Sequence, residues 1–155
     1  MDYVFAKWLH ILSATFMFGT GFGTAFYMFW TNRSRDVRAI AVVNAQVVRA
    51  DWWFTTPSVI VQPITGLYMA YLAGFPVWSG WIAWSLMLYF IAGACWLPVV
   101  WLQIKMRDMA AHAATANTAL PNRYWRYERL WVALGIPAFA GLMVVYYLMV
   151  AKPMG

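Results

Sequence analysis

Residues 4–30, VFAKWLHILSATFMFGTGFGTAFYMFW, decide the fold of this chain. Lys7 is the only charged side chain in the stretch, and about 20 mostly apolar residues suffice to carry a helix across a bilayer. A barrel strand is a poor alternative, because it would alternate apolar and polar residues over about 10 positions, whereas this run is apolar all round. A secretory signal is also a poor fit. The apolar core is too long, its flank holds only Lys7, and no small-residue cleavage site precedes Thr31, so the run reads as a retained helix.

Three further runs of the same kind follow, Phe54 to Gly74, Trp81 to Ile104 and Leu130 to Ala151. The chain as a whole is 64% hydrophobic and 10% charged, where soluble domains are about half apolar and a quarter charged. These features predict an all-α integral membrane four-helix bundle, a single transmembrane domain over 1–155 with helices at about 4–30, 54–74, 81–104 and 130–151. Little sequence is left for a soluble domain.

Charge placement predicts orientation. Arg33, Arg35, Arg38 and Arg49 lie between the first two runs, and Lys105, Arg107, Arg123, Arg126 and Arg129 between the last two. With four spans these loops share a side, and short basic loops face the cytoplasm. Both termini, Lys7, Lys152 and the uncharged Phe75 to Gly80 turn then lie outside. The net charge of +6 is accounted for by this topology and by anionic headgroups. The partner it implies is the lipid bilayer, not nucleic acid.

The loops differ from one another. Val37 to Arg49 has apolar residues at helical spacing, so it extends a membrane helix or lies along the interface. Asp108 to Pro121, rich in Ala, Thr and Asn, reads as a short cytoplasmic connector with His112 a solvated surface residue. Trp8, Trp30, Trp52, Trp53, Trp78, Trp81, Trp125 and Trp131 fall near run ends, where indole prefers the headgroup region. Trp84, Trp96 and Trp101 are more internal, and face lipid or flank a flat ligand. Gly19 with Gly23, and Gly66, Ala70 and Gly74, form small-residue stripes that let backbones approach, within one chain or between two. Cys95, the only cysteine, cannot form a disulfide within the chain.

The chemistry begins at His10, because an ionisable ring in hydrocarbon is costly unless something holds it. Lys7, His10, Met17 and Gly21 share one helical face with Ser13 or Ala14. That set suits haem b: imidazole for the iron, Lys7 for one propionate, Lys152 at the same membrane level for the other, and small residues beside the porphyrin. With a single histidine at membrane depth, the haem would be five-coordinate, Met- or water-ligated, or shared across a dimer. The competing reading has His10 bonded to a neighbouring helix. Gln62, with Thr55, Thr56, Ser58 and Thr65, makes the second run the richest in hydrogen-bonding groups and suggests a ligand pocket between the first two helices. Asp51 and Glu128, beside Arg49 and Arg129, read as interfacial ion pairs. A metal centre built from several side chains is not indicated, since the runs hold no His-xxx-His and no cysteine pair. Hydrolase and phosphate-binding motifs are missing as well.

Asp51-Trp52-Trp53-Phe54-Thr55-Thr56-Pro57 with Gln62-Pro63-Ile64-Thr65-Gly66 resembles the bacterial membrane family named domain of unknown function 2269, over nearly the whole chain. Lys7-Trp8-Leu9-His10-Ile11, the Pro and Gly pattern of the second run and the stretch from Pro137 to Lys152-Pro153 more distantly resemble the HemJ-type protoporphyrinogen oxidases. In those enzymes a histidine of the first helix is thought to bind haem b, which the resemblance carries to His10. The lysine that follows their Gly-Trp start of helix three is missing from Gly80-Trp81-Ile82-Ala83-Trp84-Ser85, and their Asn-Glu-Val-Pro is replaced by Leu134-Gly135-Ile136-Pro137. What the resemblance implies is therefore a multi-pass protein of the bacterial inner membrane, a haem-binding and redox-active scaffold rather than a porphyrinogen oxidase. The alternative class is non-enzymatic: an accessory subunit or scaffold of a membrane complex, a homo-oligomer, or a transporter component.

Overall fold

The computed structural model describes residues 2–78 and 80–153; Met1, Ser79, Met154 and Gly155 lie outside the described residues, so the expected Phe75 to Gly80 turn is described except at Ser79. Every regular element among them is helical: α1 (Tyr3–Ser34), α2 (Val37–Ala50), a π-helical turn (Asp51–Thr55), α3 (Thr56–Leu72), α4 (Gly80–Ala116) and α5 (Asn122–Ala151). Because α2, the π turn and α3 run on without a break, the described residues form four rods.

The rods are longer than the apolar runs. Asp2 caps α1 by accepting from the Phe5 N–H at 2.7 Å, and the helix continues past Trp30 to Ser34. It stops at Arg35, which takes a left-handed φ of 60° as the C-cap, and Asp36 at once caps α2 by accepting from the N–H groups of Arg38 and Ala39. Such caps satisfy backbone donors that a helix start leaves open. The Val37 to Arg49 segment is thus a helical extension of the second rod. The connector expected over Asp108 to Pro121 is corrected: its first nine residues are helix, because Ala-rich sequence propagates α4 to Ala116, and the chain turns only from Asn117, at φ 53°.

Polarity is inverted relative to a water-soluble bundle. His10, Ser13, Asp51, Thr55, Ser58, Gln62, Thr65, Ser85 and Gln103 are buried, while Trp84, Phe90, Ile91, Leu97 and Val150 point outward. In water so large an apolar exterior would mark an interaction surface or an aggregation hazard; in lipid it is the expected arrangement. By length and hydropathy, α4 and α5 can each cross a membrane.

Packing is uneven along the rods. α1 packs on α3, α4 on α5 and α2 on α4. A tight core of Met28, Ile40, Val47, Leu102, Met106, Ala110 and Tyr124 fills the end where α2 lies. Toward the other end α1 and α5 meet chiefly through rings, Phe139 standing 4.7 Å from Phe18 and 5.4 Å from Phe22, and through the Tyr146 hydroxyl donating to the Ala14 carbonyl at 2.8 Å. The Gly19/Gly23 seam is corrected within the chain, since a Cβ on either glycine would meet nothing within 4 Å. Gly66 is the close approach instead: its added Cβ would lie 3.2 Å from His10 Cε1.

Candidate functional site

His10 sits where α1 meets α3. Its Nδ1 is 2.8 Å from Thr65 Oγ1, and its ring lies against the bare Cα of Gly66. Gln62 Nε2 donates to the His10 carbonyl at 2.7 Å and to Ser13 Oγ at 2.9 Å, while Ser13 Oγ donates to the same carbonyl at 3.1 Å. Thr65 Oγ1 also lies 2.7 Å from the Val61 carbonyl; when its proton goes there, its lone pair faces Nδ1, and in that arrangement Nδ1 carries the ring proton. The second rod grips the first through these bonds because polar groups in an apolar bundle have few partners other than one another.

A separate cavity of about 540 Å³ lies between the two helix pairs. Its wall is largely apolar and aromatic: Met17, Phe18, Phe22, Phe29, Val59, Trp96, Trp131, Ile136 and Phe139 among others. One end differs. There Asp51, Thr55 and Gln103 line the wall, with Thr55 Oγ1 donating to Asp51 Oδ1 at 2.8 Å. The π turn sets this up. Its wider i→i+5 step carries Asp51 and Thr55 onto the inner face and leaves Trp52, Trp53 and Phe54 exposed, and π turns recur at functional sites.

Beyond the cavity, α1, α2 and α5 are joined by a buried relay. Asn44 Nδ2 donates to Tyr124 Oη at 2.8 Å, and the Tyr124 hydroxyl donates to Asn32 Oδ1 at 2.7 Å. Burial pushes this phenol up to about 12, Glu128 adding to the rise and the two asparagines opposing it. Around the relay the basic residues lie on aromatic faces, Arg35 over Trp125 at 3.9 Å and Arg33 over Phe29 at 4.3 Å.

Of the residues singled out by sequence, the fold brings His10 and Gln62 together. It does not bring the others to them: Lys7 and Lys152 are exposed, and Met17 is buried on the cavity wall, which His10 does not line. Pairing of Asp51 with Arg49 and of Glu128 with Arg129 is corrected. Asp51 is buried against Thr55, and the ion pair among the described residues joins Arg107 and Asp108. Trp131 and Trp96 face the cavity, Trp131 having been assigned to the interfacial belt. Asp51 and Gln103 are the functional candidates that sequence reasoning passed over. Gln103 was legible as a polar residue closing an apolar run, and Asp51 as the residue four before Thr55, on the same helical face.

No curated protein and no solved structure matches this chain. The family comparison does match, over residues 4–153, and its description accords with an outward apolar surface and inward polar groups: the chain belongs to the DUF2269 family of predicted integral membrane proteins.

Proposed function

We propose that the protein is a non-enzymatic binding component of the bacterial inner membrane. It spans four times, with both termini outside and the α2 end in the cytoplasm, and holds a small apolar molecule between its helix pairs. The observation that carries this reading is the cavity of about 540 Å³, of the size and apolar lining that small-molecule sites have, with a few convergent polar groups at one end. The orientation rests on the basic residues, nine of which fall in the two segments 31–53 and 105–129 on the α2 side. A reporter joined after Gly155 tests it, periplasmic activity being expected and cytoplasmic activity refuting it. For binding, the protein in nanodiscs is melted with and without 1-ethylnaphthalene. The hydrocarbon should raise the melting temperature of the wild type and not that of Gly93→Phe, which fills the cavity wall. An equal shift in both proteins refutes occupancy of the cavity.

A second reading keeps haem b on His10, as the resemblance to HemJ-type oxidases implies. One observation favours it: the Thr65 contact at Nδ1 orients the ring, as outer-shell partners of ligating histidines do. The rest of the site fits less well, because His10 faces α3 rather than the cavity and both lysines are exposed. Purified protein would decide it: a Soret band lost in His10→Ala and kept in His112→Ala supports haem, and a colourless wild type after growth with added haem refutes it.

A further inference from the structure

At the polar end of the cavity the Gln103 side chain lies close enough to act on the Asp51 carboxyl, yet one acceptor oxygen of each residue is left over. Asp51 is 4% exposed and Gln103 6%; Asp51 Oδ2 and Gln103 Oε1 are both buried without a hydrogen-bond partner, and both residues line the cavity. Buried polar groups are nearly always paired, and an isolated buried carboxylate is among the costliest to leave bare. Asp51 is the only acidic or basic side chain among the described residues of the lining. An anionic ligand would therefore meet repulsion and no counter-charge, whereas a cation would meet a carboxylate and an amide oxygen.

Resting on the cavity reading above, we propose that the site takes a lipophilic ammonium. The apolar body lies among Phe18, Phe29, Trp96 and Trp131, and the protonated amine donates to Asp51 Oδ2 and Gln103 Oε1. Thr55 is a positioning residue: its bond holds Oδ1 and leaves Oδ2 as the oxygen without a hydrogen-bond partner. The π turn contributes by presenting Asp51 and Thr55 on one inner face without a charged neighbour.

Three probes with one aromatic body separate charge recognition from cavity filling: 1-naphthylmethylamine, 1-naphthoate and 1-ethylnaphthalene, each measured by equilibrium dialysis on full-length protein in nanodiscs against empty nanodiscs. The amine is expected to bind about tenfold or more tightly than the carboxylate, as a charge-assisted bond allows. Asp51→Asn keeps the shape and should remove that preference while leaving 1-ethylnaphthalene binding unchanged. Should Asp51→Asn fail to fold, Gln103→Leu carries the test, with weaker amine binding and unchanged hydrocarbon binding expected. Amine and carboxylate binding alike, or an amine affinity indifferent to both substitutions, would overturn the proposal and mean that Asp51 and Gln103 satisfy each other, with the cavity reading intact. Excess binding of none of the three would overturn the cavity reading itself.

Discussion

Replacing Gly66 by Leu tests the contact on which the His10 site is built. The ring of His10 lies so near that even an added Cβ would stand 3.2 Å from Cε1, and a leucine must push the ring away or separate α1 from α3. Forcing extra carbon into a packed interior costs about 1–3 kcal/mol. The displaced ring also loses Thr65, a membrane hydrogen bond of about 0.6 and at most about 1.7 kcal/mol. The sum is roughly 2–4 kcal/mol. Gly19→Leu is the matched control, since nothing lies within 4 Å of its added Cβ and removal of a mid-helix glycine gains up to about 1 kcal/mol of helix propensity. Melting followed by tryptophan fluorescence in one detergent compares the two. At about 2–4 °C per kcal/mol for a chain of this size, Gly66→Leu should melt at least about 4 °C below the wild type and Gly19→Leu at or above it. Equal stability of Gly66→Leu and wild type would refute the close approach of His10 to α3. A loss at Gly19→Leu as large as that at Gly66→Leu would refute the open face assigned to it.

Gln62→Leu removes two interhelical bonds, to the His10 carbonyl and to Ser13, and should cost roughly 1–2 kcal/mol in the same melt; no change would mean that the bonds contribute nothing net. Asp36→Ala removes the cap on α2 and should cost about 1 kcal/mol, with Asp36→Asn largely retaining stability. Tyr124 titrates in the folded state at about 12, above its ordinary value near 10. The folded protein therefore holds a proton that the unfolded chain releases, and this contribution is complete below about pH 10 and is lost as pH rises through about 12. Tyr124→Phe should flatten that part of the stability–pH curve, and an unchanged alkaline slope would contradict the buried relay.

Solvent class and helical content were legible in composition and in unbroken apolar runs such as 4–30, because covering a hydrocarbon surface requires apolar side chains whatever packs inside. His10 and Gln62 stood out as polar residues within those runs, and the fold does bond one to the other. The helix over Val37–Ala50 was legible in its apolar spacing, but the end of α4 was misjudged where polar sequence continued as helix beyond Asp108, since hydropathy marks where lipid is expected and caps mark where helices stop. The face on which a residue lands is a tertiary matter. Asp51 read as an interfacial carboxylate beside Arg49, yet the π turn rotates it inward to meet Thr55 and the cavity. Gly19 and Gly23 carried the spacing of a seam, but a stripe of small residues acquires meaning only from the helix that approaches it, and α3 brings Gly66 to α1 instead. Periodicity along one chain gives the polarity of each residue; the relative rotation of the four rods, set by packing and by a single wide turn, decides which polar groups meet.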